Sequence, residues 1–202
     1  MGSWWGLGGF NRNLLKCVFL AGFMDFEKGD YSGVVDRQSY VSKSGRAWEL
    51  HVMDFLNKEF EEESVPLKVI DGKKLKKHSV LWDALAIPVG EGKTSTKIEG
   101  DVDLVVVNKN DLDKPLAVIS CKTSLHGRFS ETLFYAVVWK QMIPNIVVVF
   151  STPDKGRQAK KGEWASEWGS EEKPTKDRLL EEHYLNGVYI GNENTKIGGG
   201  EL

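Results

Sequence analysis

Cysteine is scarce in this 202-residue chain: Cys17 and Cys121 are the only two, with no CxxC pair and no Cys/His cluster at metal-ligand spacing. That excludes a zinc ribbon or finger and the disulfide framework of a small secreted domain. The chain therefore reads as cytosolic. No apolar run is long enough to span a bilayer, so no membrane association is expected. The best, Leu14 to Phe23, is interrupted by Lys16 and lacks a small-residue cleavage site, which predicts a core helix and no signal peptide. A phosphate loop is missing too: Gly92-Lys93-Thr94 has the right ending, but Ile87 stands where the first glycine is required.

An excess of either charge is also absent. The net charge is −2, so the chain is no wholly basic nucleic-acid binder, and any contact with DNA has to be local. Two basic clusters offer themselves: Lys73, Lys74, Lys76 and Lys77 beside His78, and Lys155, Arg157, Lys160 and Lys161. Solvated surface charge is the commoner meaning of such runs.

With 41% hydrophobic residues, the chain has enough apolar mass for one core. From Ser44 the pattern turns helical, Ser44 serving as a cap and Glu49, Met53, Leu56 and Phe60 forming one stripe that carries Glu49 inward. Pro66 closes that helix, Leu67 to Ile70 reads as a short strand, and Asp71-Gly72 reads as a turn. A second strand is expected at Val80 to Val89. The β-prone runs Val102 to Val107 and Leu116 to Ser120, joined by a polar turn, predict a hairpin. Phe129 to Met142 reads as a helix in which Leu133, Val137 and Lys140 lie beside Phe134, Val138 and Gln141. Asn145 to Phe150 reads as a strand buried on both faces, completing a βαβ crossover. A short helix at Thr175 to Glu182 and a last strand at Gly187 to Ile190 follow. Trp164 and Trp168, with the basic stretch before them, suit a DNA- or partner-contacting segment, but packing against the sheet is the commoner meaning, since two tryptophans four apart also make one face of a helix.

The chemistry-bearing residues gather at the hairpin. Asp101 and Asp103 stand at the entrance of its first strand and Lys122 at the exit of its second, so pairing the strands brings them together. Carboxylates at a strand end bind a hard divalent cation through oxygen. A nearby lysine orients or deprotonates water and stabilises charge on a phosphate. The bland alternative is that the aspartates merely open a strand and Lys122 is a surface residue.

Gly100-Asp101-Val102-Asp103-Leu104 followed by Ser120-Cys121-Lys122-Thr123-Ser124 resembles the PD-(D/E)xK core of type II restriction endonucleases. Lys43 to Glu49 is similar to the helix that supplies that family's additional glutamate, and Asn145 to Asp154 to the strand and loop after its crossover helix. The resemblance implies an α/β fold, a restriction-endonuclease-like core with a mixed central β-sheet flanked by helices. It further implies one endonuclease domain over residues 1–202, with a core at about 44–154, an N-terminal arm at 1–43 and a C-terminal extension at 155–202.

Carried over residue by residue, it makes Asp103 the metal-binding aspartate, with Asp101 able to exchange roles with it, Lys122 the catalytic lysine and Glu49 the helix carboxylate. The Cys121 main-chain carbonyl becomes a further metal ligand. The acid expected two before the lysine is Ser120 here, a departure shared by Ser-x-Lys members. These recover the charge from a following helix, where Glu131 is the candidate; an acid favoured by the helix dipole is the equal alternative. His126 and Arg128 sit just past the lysine, where a phosphate contact competes with an exposed polar loop.

The implied activity is Mg²⁺-dependent, sequence-specific hydrolysis of double-stranded DNA by a homodimer. A repair or recombination nuclease on the same core, or an inactive DNA-binding relative, are the alternatives.

Overall fold

The computed structural model describes residues 34–123, 129–158 and 164–191. Helix α1 (Val34–Glu62) leads to strand β1 (Leu67–Asp71), a 3₁₀ turn over Gly72–Lys77, helix α2 (Ser79–Leu85) and a short hairpin of β2 (Ile87–Val89) and β3 (Thr96–Ile98). Strands β4 (Leu104–Asn108) and β5 (Asp111–Cys121) follow, then α3 (Phe129–Met142), β6 (Val147–Thr152), the two-residue strands β7 (Arg157–Gln158) and β8 (Trp164–Ala165), α4 (Lys176–Tyr184) and β9 (Gly187–Ile190).

The central sheet has the order β1-β4-β5-β6-β9. The β1-β4 and β4-β5 pairs are antiparallel, while β5-β6 and β6-β9 are parallel. The expected hairpin and βαβ crossover are both present, in a mixed sheet flanked by helices. Because β9 is a sheet strand, the sheet runs past residue 154.

Helices cover both faces. Trp48, Val52, Leu56 and Phe60 of α1 pack on Val69, Leu104, Val106, Ile119 and Val149. On the other face Leu81, Leu85, Ala136 and Trp139 pack on Val105, Val107, Val118, Val148 and Phe150. Burial on both faces explains why β4 and β6 read as continuous apolar runs. At about 1.5–3 kcal/mol for each large apolar side chain removed from water, this two-sided core is what holds the strand ends in register.

Several sequence expectations are corrected. Residues 80–89 hold α2 and a three-residue strand, because Leu81 and Leu85 share one buried face while Val80 points to solvent. The α1 helix begins at Val34, so Ser44 is a buried mid-helix residue and no cap. Its packed stripe keeps the expected Leu56 and Phe60 but starts at Trp48 and Val52 in place of Glu49 and Met53, which leaves Glu49 at the stripe's edge. In α3 the packed side is Phe129, Thr132, Ala136 and Trp139, and Phe134 and Val137 are exposed. The Trp164–Trp168 segment is no helix: Trp164 lies in β8, and Trp168 packs in the core beyond it. Leu14 to Phe23 lies outside the described residues. Among those described, no helix is long and apolar enough to cross a membrane.

Candidate active site

Pairing of β4 with β5 sets Leu104 opposite Ile119. Asp103, one residue before β4, therefore meets the end of β5. One oxygen of its carboxylate, Oδ2, accepts the main-chain N–H of Cys121 at 2.7 Å and the Lys122 ammonium at 2.9 Å. Neither bond uses Oδ1. Lys122 also lies 2.6 Å from Asp101 and is only 6% exposed, so one buried ammonium is shared by two carboxylates. Its backbone is tied to the neighbouring strand, where its N–H donates to the Ser151 carbonyl at 2.9 Å.

Burial alone pulls the Lys122 ammonium down, but Asp103 and Asp101 outweigh it and hold its pKa above the ordinary lysine value. Lys122 is therefore a cation at neutral pH, equipped to donate hydrogen bonds and not to take a proton. Burial raises the Asp103 carboxyl above its usual value; Asp101 adds to this, and Lys122 and the Cys121 N–H only partly offset it. A dry carboxylate of this kind gains from any further cation.

Glu49 stands on α1, the helix that packs on one face of the sheet. Its side chain is 13% exposed, and its Oε2 accepts Arg46 at 2.7 Å and lies 3.6 Å from Lys73. The buried Cys121 thiol is pushed well above its ordinary value by burial, then by the charges of Asp103 and Glu49. Both charges act on this residue, and the thiol is no nucleophile.

Ser120 is buried, and its hydroxyl lies 2.9 Å from that of Thr132 on α3. Glu131, one residue earlier, is exposed in the first turn of α3. Its charge and that of Asp101 both act on Tyr135, whose hydroxyl burial raises first. The ring of Tyr135 and that of Trp139 pack against Gly100, where a Cβ would meet Trp139 at 2.6 Å, so α3 braces the loop that delivers Asp101.

Of the basic candidates, Lys73, Lys74, Lys76 and Lys77 lie on the 3₁₀ turn after β1, at the same end of the sheet as Asp103. Lys76 is engaged with Glu99 at 2.7 Å. Lys155 follows β6 and reaches Ser44 on α1 at 3.4 Å, its ammonium lowered by partial burial and Glu167 acting against that. Arg157 is described only as a main-chain position in β7. His126, Arg128, Lys160 and Lys161 lie outside the described residues.

Sequence reasoning missed two charged residues here. Arg46 donates to both oxygens of Asp71, at 3.0 and 2.5 Å, while also holding Glu49. The i, i+3 spacing of Arg46 and Glu49 on a helix was a readable signal. Asp71 gave none, since an aspartate before a glycine looks like a turn.

Residues whose oxygens could hold a metal are Asp103, with Asp101 sharing its lysine, Glu49, and Cys121 through its main-chain carbonyl. All are hard oxygens, which suits magnesium. Among the described residues no three metal-ligating side chains converge. Magnesium accepts such a sparse set, because it keeps several of its waters and needs only one or two carboxylates.

A mixed five-stranded sheet with helices on both faces, carrying acidic residues and a lysine at the ends of its central hairpin, is the architecture of a restriction endonuclease. It superposes on the crystal structure of the specific restriction endonuclease AgeI in complex with DNA with a TM-score of 0.60 and 18% identity, covering 81% of this chain and 59% of that one. The chain thus spans about 59% of the length of the AgeI chain. No curated protein matches it in sequence. Residues 71–199 match the family described as BsaWI restriction endonuclease type 2, and the chain belongs to that family of type II restriction endonucleases.

Proposed function

We propose that this chain is a single-domain, Mg²⁺-dependent endonuclease that hydrolyses double-stranded DNA at a specific sequence, acting as a homodimer so that two sites cut two strands. The observation that carries the reading is the shared, buried ammonium of Lys122 against Asp103 and Asp101. A buried ammonium held between two carboxylates at a strand end is an arrangement suited to phosphate chemistry.

Asp103 and Glu49 would hold the cation, with the Cys121 carbonyl as a further ligand, and Asp101 and Glu131 would supply negative charge close by. A bound Mg²⁺ would polarise a phosphoryl oxygen and lower the pKa of water. Lys122, already a cation, donates a hydrogen bond to the attacking water or to the phosphoryl oxygen on which charge develops. The water oxygen bonds to phosphorus as the P–O3′ bond breaks. The water gives up a proton and the 3′ oxygen gains one, leaving a 5′-phosphate and a 3′-hydroxyl. Ser120, bonded to Thr132, supports the strand end that carries Lys122.

Lys73, Lys74, Lys76, Lys77 and Lys155 rim this end of the sheet and would meet backbone phosphates, with His126, Arg128, Arg157, Lys160 and Lys161 assigned to the same role from their sequence positions. Digestion of phage and plasmid DNAs with Mg²⁺ or EDTA tests the reading. Discrete Mg²⁺-dependent fragments are expected. A smear would indicate a repair-type nuclease, and uncut DNA that is still bound would indicate an inactive relative.

A further inference from the structure

Glu49 belongs to a chain of contacts through Arg46, Asp71 and Gly72 that ends on the main chain of Asp103. Arg46, three positions before it on α1, donates one Nη1 hydrogen bond to Glu49 Oε2 at 2.7 Å and a second to Asp71 Oδ1 at 3.0 Å, while Nη2 holds Asp71 Oδ2. Asp71 is 4% exposed and additionally accepts the Lys73 N–H at 3.1 Å, so it is a fixed mount. It sits opposite Leu104 in the β1-β4 pair, and the next residue, Gly72, donates its N–H to the Asp103 carbonyl at 2.8 Å.

We infer that Arg46 is a positioning residue that fixes Glu49 for metal binding, anchored through Asp71 to the strand end that carries Asp103; this rests on the metal role proposed above for Glu49. A glutamate side chain has three rotatable bonds and wanders unless held. Arg46 binds one oxygen, Oε2, and leaves Oε1 outside that bond. Asp103 shows the same division, with Oδ2 engaged and Oδ1 outside it. Only the planar guanidinium fork can grip Asp71 through two nitrogens and Glu49 at once; a lysine at this position keeps the charge and loses the geometry. The Lys73 contact to Glu49 is longer and solvent-exposed, so it cannot substitute for Arg46. Outer partners that orient a metal-binding carboxylate are typically worth about 10–100-fold in metal affinity.

The test uses the full chain and Mn²⁺ as probe, read without DNA as loss of the free-ion electron paramagnetic resonance signal. Arg46→Lys is expected to weaken Mn²⁺ binding about tenfold, with DNA affinity in EDTA unchanged. Arg46→Met leaves Asp71 buried without its partner and is prone to unfold, so Arg46→Met with Asp71→Asn serves as the folded control and is expected to show the same loss. In a Glu49→Gln background, Arg46→Lys should cost nothing further, because the residue it positions is gone. Unchanged Mn²⁺ affinity in Arg46→Lys, an equal further loss in the Glu49→Gln background, or a fall in DNA affinity in EDTA overturns the inference. If Glu49→Gln alone leaves Mn²⁺ binding intact, the metal role of Glu49 fails and Arg46's role fails with it. If Glu49→Gln weakens binding but Arg46→Lys does not, only the role of Arg46 fails.

Discussion

The hydroxyls of Ser120 and Thr132 lie 2.9 Å apart, buried between β5 and α3. An acid at position 120 would point into the same packed space, where a charge costs far more than a hydroxyl already bonded. Ser120→Ala and Thr132→Val should each destabilise the protein by about 1 kcal/mol, the double variant by less than their sum. Urea unfolding measures this, and full additivity would show that the two hydroxyls do not act as a pair.

Asp103→Asn and Lys122→Met should each lower Mg²⁺-dependent cleavage by at least about 100-fold, the range seen when a charge-stabilising group is removed from a hydrolytic site. Lys122→Met also leaves Asp103 buried without its cation, so its carboxyl should titrate higher still. A cleavage assay combined with carboxyl NMR separates the two effects, and a Lys122→Met variant that cuts normally would remove the lysine from the mechanism.

Gly72 is irreplaceable for a steric reason. A Cβ there would lie 1.9 Å from the Val102 carbonyl oxygen and 2.7 Å from that of Asp103. Gly72→Ala must push the backbone that presents Asp103, so both thermal stability and cleavage should fall. Wild-type cleavage by Gly72→Ala would mean that the placement of Asp103 tolerates displacement of its own backbone.

Glu181 on α4 is fully buried, and neither of its carboxylate oxygens has a hydrogen-bond partner among the described residues. Burial first, then the nearby charges of Asp177 and Glu182, push its pKa from 4.5 up to about 9. The folded state then keeps a proton that the unfolded state has lost, so stability falls as pH rises from the ordinary carboxyl value toward the raised one. The slope is at most about 1.4 kcal/mol per pH unit. Glu181→Gln should flatten the dependence of unfolding free energy on pH between 5 and 9, roughly the window set by the two values. An unchanged slope would show that Glu181 is ionised in the folded protein.

Much of this architecture was legible in the sequence. The two-sided apolar strands Val102–Val107 and Asn145–Phe150, the α3 helix and the last strand came from periodicity and turn chemistry alone, because each element's burial is written into its own residues. Residues 80–89 misled, since Val80 and Leu81 look β-prone, and only packing against the sheet selects Leu81 and Leu85 as one helical face. At the site, the approach of Asp103 to Lys122 followed from hairpin pairing, a local event.

Of the contacts that hold Glu49, only the i, i+3 spacing from Arg46 was local; the anchoring of Arg46 on Asp71 did not follow. Arg46, Asp71 and Asp103 come from a helix and two different strands, and nothing local says that β1 will pair with β4 and bring Asp71 under the helix. The sequence by itself determined most of the segments that form strands and helices and the nearness of Asp103 to Lys122, through short-range periodicity, residue type and hairpin pairing. Tertiary structure decided which oxygen each carboxylate commits, which cation is shared and which carboxyl is buried dry, because those depend on long-range strand pairing and on the exclusion of water.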